Sequence, residues 1–437
     1  MWCSGLGLAT CFRLIDDFLD SRPLTHQLTI IFTTRDDRKG SATLAALKRH
    51  LSRHRIIRPY LPISNPRVFL RPENLELTSL LSVKALSQRL RRSAIPRLDA
   101  IILNAGLAGF IDLNWPLAIW SLTTDLVQAA TWPTYKLSAT GLLTPPQLHA
   151  PAAADPQHSE PVVGEIFCAN VFGHYMLAHW LMPLLRACPH TRPGRIIWLS
   201  SIEAQSHHFS SADFQALESH NAYEHTKRMT DLMALTANNT PATAKSVQSF
   251  LDLDHPNDRR LSHTIHQQHQ APSKPAIHLA HPGVCATSIL PLHWLLAIIS
   301  QLSLYVVRLL GSPWHNVNTY AGASAPVWLA LADPAEIAEQ EHAGATKWGS
   351  AVTRLGRRSV QPTDVPGWGL HGDGKPVVWQ QQPGRGLGRK RGTTDATSAD
   401  VEEFVDAGAR VWGELERLRR DWEARIERFE ATQATSD

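Results

Sequence analysis

Short apolar runs recur along the chain, and amphipathic segments separate them. Four of these runs predict strands, at Leu28–Thr34, Leu98–Leu103, Arg195–Leu199 and Ala276–Ala280. The runs are nearly all apolar rather than alternating, which is typical of strands buried on both faces of a parallel sheet. The pattern therefore predicts an α/β fold in which helices cover both faces of a doubly wound parallel sheet.

Apolar residues at helical spacing predict the covering helices. These helices are expected at Leu8–Leu19, Ala42–His54, Val163–Leu185 and Ala222–Ala237. A further helix is predicted at Ala399–Ala431, where the many charges indicate a solvated or partner-binding helix.

Three segments interrupt the alternation of strands and helices. Residues 109–160 have an aromatic first half and an Ala/Pro-rich second half, residues 238–273 are polar, and a Gly/Arg/Lys stretch follows Pro383. We interpret residues 1–380 as a single domain with insertions at 109–160 and 238–273. Residues 381–437 are interpreted as a linker and the charged C-terminal helix.

Composition narrows the classes of function. The 437 residues carry a formal net charge of +4, and the basic residues are scattered, so nothing indicates a nucleic-acid partner. The five cysteines are dispersed and form no CxxC pair, which indicates reduced thiols rather than a structural zinc. His263, His266 and His269 have no cysteine or defined carboxylate partner, so no metal site is predicted.

One segment is apolar enough to contact a membrane. Between Ile289 and Gly311 the only strongly polar side chains are His293, Gln301 and Arg308. The segment is long enough for a helix that spans a bilayer, but a helix at the interface and an ordinary core helix remain open, because length alone does not decide among them.

The clearest candidate chemistry lies on the helix predicted to begin at Ala222. Tyr223 and Lys227 are four residues apart, which places them on one helical face. An ammonium one turn away stabilises a phenolate and lowers the pKa of the phenol, so Tyr223 is predicted to act as a general acid. Ser200 and Ser201 follow a buried strand, where a hydroxyl can polarise a substrate carbonyl.

Other positions predict a dinucleotide site, because ligands of open parallel sheets bind at the carboxyl ends of the strands. The turn Gly5-Leu6-Gly7 would let backbone amides approach a pyrophosphate, although a simple helix-starting turn is the alternative. Thr34 ends a predicted strand. Arg35 and Arg38 follow it where an NAD enzyme usually carries an acidic residue, which favours NADP over NAD; a solvated basic loop is the alternative.

Two more positions are candidates for this site. Asn170 is polar among apolar neighbours and needs a partner, either in a proton relay or in the local backbone. Val284 and Thr287 follow the last predicted strand, and we expect them to close over a nicotinamide carboxamide.

The order of these elements resembles that of the short-chain dehydrogenase/reductase superfamily, which implies a Rossmann-like fold. The matching elements are the glycine turn, Asn104-Ala105-Gly106, Asn170 with Gly173, the serine pair, Tyr223 with Lys227, and Pro282-Gly283. More narrowly, the stretches NWPLAIWSLTTDLVQAATWPTYK, GEIFCANVFGHYMLAHWLMPLLR, WLSSIEA and YEHTKRMTDL are similar to the fungal 3-keto-steroid reductases of sterol C-4 demethylation.

This resemblance implies an activity and the roles of the catalytic residues. The activity is reduction by NADP(H) of the 3-oxo group of C4-demethylated sterol intermediates to a 3β-hydroxyl in ergosterol-type sterol biosynthesis. Tyr223 would donate the proton, and Lys227 would lower its pKa and hold the nicotinamide ribose. Ser201, rather than Ser200, would hold the carbonyl.

The resemblance also implies further cofactor contacts and further alternatives. Asn104 and Asn170 would line the cofactor and the proton relay, and Glu76 would reach the adenine. Other sterol C-4 demethylation enzymes and a sterol cyclase would be partners, with peripheral attachment to the endoplasmic reticulum membrane or to lipid droplets. The alternatives are a reductase of another apolar ketone, such as a 17-ketosteroid or a retinal-type aldehyde, and a catalytically impaired scaffold.

Two departures from the superfamily pattern bear on the fold. Ser201 and Tyr223 are 22 residues apart, which exceeds the usual spacing and predicts a longer loop that contributes to a substrate lid. The superfamily glycine motif follows a buried strand, and Met1 stands where the first glycine of that motif would be. We therefore expect the first strand to be missing and two strand ladders with it, either because the gene model is truncated or in a product that folds poorly and binds the cofactor weakly.

Overall fold

The structure is a computed structural model. It describes residues 5–57, 67–148, 160–237, 241–252, 273–286, 294–341, 345–369 and 388–434, and for residues 54–57 and 294–297 it describes the backbone alone. The candidate residue Thr287 and the three histidines at positions 263, 266 and 269 lie outside these ranges.

Strands and helices alternate through the first half of the chain. In chain order they are α1 (Leu6–Ser21), β1 (Leu28–Thr34), α2 (Asp37–Ile57), β2 (Val68–Asn74), α3 (Leu80–Arg92), β3 (Ala100–Leu103), β4 (Phe110–Leu113), α4 (Trp115–Thr124), α5 (Leu126–Thr131), β5 (Lys136–Ser138), α6 (Glu165–Phe167), α7 (Gly173–Trp180), α8 (Met182–Arg186) and β6 (Arg195–Leu199).

The second half continues with mixed elements and ends in a long helix. The elements are α9 (Ala222–Thr236), α10 (Ala244–Leu251), β7 (Ala276–His281), β8 (Val284–Cys285), α11 (Trp294–Leu310), β9 (His315–Val317), α12 (Thr319–Gly322), α13 (Ser324–Leu331), α14 (Pro334–Glu341), β10 (Lys347–Val352), β11 (Arg358–Pro362) and α15 (Ser398–Ala434).

The main sheet has five strands in the order β11-β10-β7-β6-β3. β10, β7, β6 and β3 pair in parallel, and β11 pairs antiparallel with β10. All five residues of β6 are buried, which explains why its sequence is apolar apart from Arg195, whose guanidinium donates to the carbonyls of Leu329 and Ala332. The chain is therefore an α/β protein with a mainly parallel sheet, as predicted.

β1 and β2 form a separate parallel pair. In the part of the chain that the structure describes, β1 pairs with β2 alone and β3 pairs with β6 alone, so no described strand joins the two sheets. This arrangement agrees with the expectation that two ladders are missing. Helix α1 connects the sheets instead, because Leu6 packs near Ile197 of the main sheet and Ile15 packs near Ile30 of β1.

The prediction of a single long helix at Val163–Leu185 is wrong, because the helix is interrupted in two places. A π-helical turn at Cys168–Phe172 separates α6 from α7, and Leu181 separates α7 from α8 with φ near −92° and ψ near 2°. Pro183 lies in the first turn of α8, where its missing amide costs no hydrogen bond, so the chain restarts a helix there.

The insertion at 109–160 contains regular structure. β4 and β5 pair antiparallel, and α4 and α5 lie between them in the sequence. Trp132 follows α5 and donates from Nε1 to the carbonyl of Ile202, 3.2 Å away. The insertion therefore packs over the loop that follows β6.

The C-terminal helix α15 packs into the main core, so the expectation of a solvated or partner-binding helix is wrong. Trp422 and Ile426 are fully buried, and Trp412 Nε1 donates to the carbonyl of Met233 at 3.0 Å. The many charges of this helix suggested exposure to solvent. The charge of Arg419 is instead buried, and carboxylates of the same helix pair with it. The domain boundary predicted near 381 falls in residues 370–387, outside the described ranges.

Candidate active site

The carboxyl ends of β3, β6 and β7 lie at one edge of the main sheet. Leu103 pairs with Trp198, and Leu199 pairs with Ala280, so the residues after these strands emerge side by side. Helix α9 packs against β6 and β7 near this edge. Candidate residues from distant parts of the sequence therefore meet here, as expected for an open parallel sheet.

Helix α9 places Lys227 next to Tyr223. The Nζ of Lys227 lies 5.6 Å from the centre of the Tyr223 ring and donates a hydrogen bond to the carbonyl of Leu199 at 2.8 Å. Burial lowers the pKa of Lys227 to about 8, and the carboxylate of Asp231 opposes that shift. Burial raises the pKa of Tyr223, so the expectation that its pKa is lowered is wrong; the phenol is protonated and able to donate.

The two serines after β6 face different partners. The side chain of Ser201 lies beside Tyr223 and lowers the pKa of its phenol, and its hydroxyl oxygen accepts from the amide of Glu203 at 3.2 Å. Ser200 instead donates from its hydroxyl to the main-chain carbonyl of Lys227 at 3.2 Å. The geometry favours Ser201 as the serine beside the general acid.

A buried ion pair that the sequence did not reveal holds the Ser201 loop. Lys347 Nζ contacts Asp231 Oδ2 at 2.7 Å and also donates to the main-chain carbonyl of Ser201 at 2.7 Å. Both side chains are almost wholly buried. Because the two residues are far apart in the sequence, no local pattern could have indicated the pair.

Asn170 lies in the π-helical turn and fixes the loop after β3. Its Oδ1 accepts from the amide of Leu107 at 2.6 Å, and its Nδ2 donates to the carbonyl of Leu107 at 2.8 Å and to Thr226 Oγ1 at 2.9 Å. Such π-turns are frequent at functional sites. The observed partners are the backbone and a threonine of α9, whereas the role of Asn170 in a proton relay stays a prediction.

The glycine turn and the Asn104 loop meet at the start of α1. A Cβ on Gly7 would lie 3.0 Å from Nδ2 of Asn104, whereas a Cβ on Gly5 would meet nothing within 4 Å. Leu6 is the first residue of α1, and the imidazole of His174 is hydrogen-bonded to the carbonyl of Ala105 at 2.8 Å. The structure thus brings together a helix N-terminus, open space and an amide side chain, and the binding of a phosphate there stays a prediction.

The cations predicted to hold a 2′-phosphate lie at the end of β1. Arg35 and Arg38 are exposed, whereas Thr34 is buried and donates from Oγ1 to the carbonyl of Asp36 at 2.9 Å. Asp36 in turn accepts from the amide of Lys39 at 2.8 Å. Thr34 therefore shapes the loop, and the two guanidinium groups are free of the core.

Glu76 and Val284 form hydrogen bonds with other residues of the chain. Glu76 follows β2, and its Oε1 accepts from the amide and the hydroxyl of Thr78 at 3.1 and 2.9 Å. The amide of Val284 donates to the carbonyl of Trp314 at 2.7 Å within the β8–β9 pair. Contacts from these residues to adenine and nicotinamide stay predictions, as does the role of Thr287.

Sequence reasoning missed three charged residues around Tyr223. Lys136 of β5 forms ion pairs with Glu203 and Glu224, and its Nζ lies 5.8 Å from the centre of the Tyr223 ring. A signal was present, because Lys136 ends one of the two longest stretches that resemble the sterol reductases.

Comparison with known proteins identifies the family. No family model matches the chain. The chain is 43% identical to the 3-keto-steroid reductase erg27 of Aspergillus fumigatus, over 99% of this chain and 95% of that protein. It is 36% identical to the 3-keto-steroid reductase ERG27 of Gibberella zeae, over 96% of this chain and 92% of that protein.

Among solved structures, the chain is similar to a short-chain type dehydrogenase/reductase from Mycobacterium ulcerans, at 13% identity and a TM-score of 0.40, over 76% of this chain and 82% of that one. The full-length sequence similarity is much the stronger finding. On that similarity, the chain belongs to the 3-keto-steroid reductase family.

Proposed function

We propose that this protein reduces the 3-oxo group of C4-demethylated sterol intermediates to the 3β-hydroxyl, with NADPH as the reductant, in ergosterol-type sterol biosynthesis. The observation that carries the proposal is the convergence of Ser201, Tyr223 and Lys227 at the carboxyl edge of the sheet. The relatives named 3-keto-steroid reductases support the substrate class. The test is incubation of the purified protein with a 3-keto sterol and NADPH; formation of the 3β-alcohol supports the proposal, and no turnover contradicts it.

Two hydroxyl groups can bind the ketone oxygen. Ser201 lies close enough to Tyr223 to lower the pKa of its phenol, so a carbonyl oxygen placed against both hydroxyl groups can accept from both. As negative charge develops on that oxygen, Tyr223 donates its proton to it, and Ser201 stabilises the charge through its hydrogen bond.

Lys227 stabilises the product form of the acid. After proton donation Tyr223 is a phenolate, and an ammonium 5.6 Å from its ring lowers the energy of that anion. Because the pKa of Lys227 is lowered to about 8, the ammonium is present at neutral pH and is lost as the pH rises above 8.

The residues at the other end of the site fit a dinucleotide phosphate. Gly5 caps the N-terminus of α1 without a side-chain hydrogen bond, a Cβ on it would meet nothing within 4 Å, and the absence of a side chain at Gly7 leaves room for the amide of Asn104. The exposed guanidinium groups of Arg35 and Arg38 suit a 2′-phosphate. When bound there, NADPH supplies the hydride.

Apolar side chains beside the acid support a steroid-like substrate. The ring of Phe110 meets the ring of Tyr223 edge to face, with centroids 5.6 Å apart. Trp132 and Ile202 form an apolar cluster with Trp314 next to the Ser201 loop. An apolar wall also suits a 17-ketosteroid or a retinal-type aldehyde, so kcat/KM for a panel of these carbonyl compounds decides between the proposed substrate and its alternatives.

The proposal includes peripheral attachment to the endoplasmic reticulum membrane or to lipid droplets. No helix that the structure describes is long and apolar enough to cross a membrane. Helix α11 buries Leu304 and Val307 but exposes a row of large apolar side chains: Ile298, Ile299, Leu302, Tyr305, Val306, Leu309 and Leu310. A helix with one apolar face exposed is typical of a helix that lies in a lipid interface.

A second exposed apolar helix lies close to α11. Helix α4 exposes Trp115, Ile119 and Trp120, and both α4 and α11 pack against α5. Tryptophan is favoured at the level of lipid headgroups. The same insertion carries α4 and Lys136, so we propose that the lipid surface lies next to the entrance through which a sterol reaches Tyr223.

Association with the other sterol C-4 demethylation enzymes and with a sterol cyclase is the most specific part of the proposal. It rests on the resemblance of the sequence alone, and co-purification from membranes tests it. The impaired-scaffold alternative is favoured by one observation, the separation of β1–β2 from the main sheet among the described strands. Sterol analysis of cells that carry only Tyr223→Phe separates a catalytic role from a scaffold role.

A further inference from the structure

Three charged side chains form a buried cluster beside Tyr223, and we refer to Lys136, Glu203 and Glu224 as the acidic cluster. Lys136 Nζ forms an ion pair with Glu203 and a second one with Glu224 at 3.1 Å. The side chains of Lys136 and Glu224 are 5% and 4% exposed. Buried charges are unfavourable unless they are paired, so the fold holds these three groups against a considerable cost.

The insertion delivers Lys136 to this position. Lys136 is the first residue of β5, which pairs with β4, and its Nζ lies 4.4 Å from the centre of the Phe110 ring on β4. The carboxylates come from the main domain, since Glu203 follows Ser201 by two residues and Glu224 directly follows Tyr223. The acidic cluster therefore joins the insertion to the loop and the helix that carry the hydroxyl groups.

Two ammonium groups lie at nearly the same distance from Tyr223. Lys136 Nζ is 5.8 Å and Lys227 Nζ is 5.6 Å from the centre of its ring. Lys136, however, is paired with two carboxylates. One positive and two negative charges give the ionised acidic cluster a net negative charge.

Two ionisable neighbours of the acidic cluster, His208 and Tyr135, leave this charge unchanged because both are neutral. His208 is neutral, because burial lowers its pKa to about 4. Tyr135 is also neutral, because burial raises its pKa. Two cations are also nearby. Lys390 lowers the pKa of His208, and Lys227 lies on the same helix as Tyr223.

The effect of each charge on Tyr223 has a definite sign. Burial raises the pKa of Tyr223 most, and Glu203 and Glu224 raise it further, whereas Lys136 and the side chain of Ser201 lower it. Burial raises the pKa of Glu203 itself to about 7, so this carboxyl group is ionised in the alkaline range where a phenol titrates.

We propose that the acidic cluster keeps Tyr223 protonated up to a higher pH and thereby widens the pH range in which it can donate a proton to the ketone. The inference rests on the proposed function, in which the O–H bond of Tyr223 breaks and its proton goes to the ketone oxygen. A lone lysine at the position of Lys136 would favour the phenolate, and the two carboxylates reverse its effect, so Lys136, Glu203 and Glu224 are positioning residues.

Fluorine NMR of the full-length protein labelled with 3-fluorotyrosine tests the proposal without any turnover. The chain has six tyrosines, and the Tyr223 resonance is identified by its loss in Tyr223→Phe. Fluorine beside the hydroxyl acidifies the phenol, which brings its titration into a range where the protein stays folded. The variants are Glu203→Gln and Lys136→Met, with Glu341→Gln as the control. Glu341 is also a buried glutamate whose pKa burial raises to about 7, and it accepts from Trp348 Nε1 outside the acidic cluster.

We expect the titration midpoint of Tyr223 to fall by about one pH unit in Glu203→Gln and to rise by about one unit in Lys136→Met. Glu341→Gln should leave it unchanged. Shifts of equal sign in the first two variants, or no shift in either, overturn the inference, because structural damage has no reason to follow the sign of the removed charge. Loss of ketone reduction in Tyr223→Phe is a separate result, so the proposed function and this inference fail independently.

Discussion

The ammonium of Lys227 lies 5.6 Å from the centre of the Tyr223 ring, and it is held there by a hydrogen bond to the carbonyl of Leu199. The hydrogen bond ties the lysine to the end of β6, the strand that also leads into Ser201. One strand end therefore positions both the group that binds the ketone oxygen and the group that stabilises the phenolate.

The two serines provide a matched pair of variants. Ser201→Ala removes the hydroxyl that lies beside Tyr223, and we expect kcat for ketone reduction to fall roughly a hundredfold, as when one donor to a developing oxyanion is removed. Ser200→Ala removes a hydroxyl that donates to the carbonyl of Lys227, and a clearly smaller loss is expected. Steady-state kinetics of the two variants check this order, and a larger loss in Ser200→Ala would assign the carbonyl contact to Ser200.

Lys227 predicts a dependence of stability on pH. Its pKa is lowered from 10.5 to about 8, so below pH 8 the buried ammonium destabilises the folded state relative to the unfolded state. The unfolded chain holds this proton up to about pH 10.5, so the destabilisation is relieved as the pH rises from 8 to 10.5. The free energy of unfolding of the wild type, minus that of Lys227→Met, should increase by about 3 kcal/mol over that range.

Urea unfolding of both proteins at several pH values measures this difference. Because the other titrating groups are shared, the subtraction isolates Lys227. A difference that stays flat or falls with pH would mean that the folded state does not lower the pKa of Lys227.

The exposed guanidinium groups after β1 predict the choice of cofactor. Replacing Arg35 and Arg38 together with alanine removes two charge-assisted contacts to a 2′-phosphate, so the Kd for NADPH should rise at least about tenfold, with little change for NADH. Lys48 and Arg49 are exposed cations farther along α2 and provide the control double variant. An equal loss of affinity for both nucleotides, or an equal effect of the control, would contradict the assignment.

The exposed face of α11 predicts binding to lipid vesicles. Leu302 and Leu309 are 60% and 58% exposed, and their joint replacement by serine should weaken binding to phospholipid vesicles at least about tenfold, because their apolar area no longer leaves water. Leu24, which is 63% exposed in the turn before β1, gives the control Leu24→Ser. Vesicle flotation measures both, and unchanged binding of the α11 variant would place the lipid contact elsewhere.

The elements that could be predicted from the sequence are those whose buried positions carry apolar residues. β1 and β6 have the predicted bounds, because both are mostly apolar runs. Only β6 is buried on both faces. β1 buries Ile30, Phe32 and Thr34 but exposes Thr29 and Thr33, so the expectation that it is buried on both faces is wrong. β2 was not recognised, since it contains Pro72 and only Val68 is buried in it. β10 was missed for the opposite reason: it is buried throughout, yet Lys347 and Ser350 are polar and find partners far away in the sequence.

The same distinction applies to the candidate site. Tyr223 and Lys227 lie one turn apart on one helix, so their spacing alone indicated the pair. Lys136 and Glu203 meet across 67 residues of sequence, and their contact depends on how the insertion folds over the loop after β6. Local spacing cannot encode such a contact, although the stretch that ends in Lys136 marked the region.

The central claim is that Tyr223 donates the proton to the ketone oxygen, and one substitution tests it. Tyr223→Phe keeps the ring against Phe110 but removes the proton donor. With a 3-keto sterol and NADPH, we predict that kcat falls at least about a hundredfold while the thermal unfolding temperature and the NADPH affinity stay close to those of the wild type. Reduction at near wild-type rate by the phenylalanine variant would contradict the account.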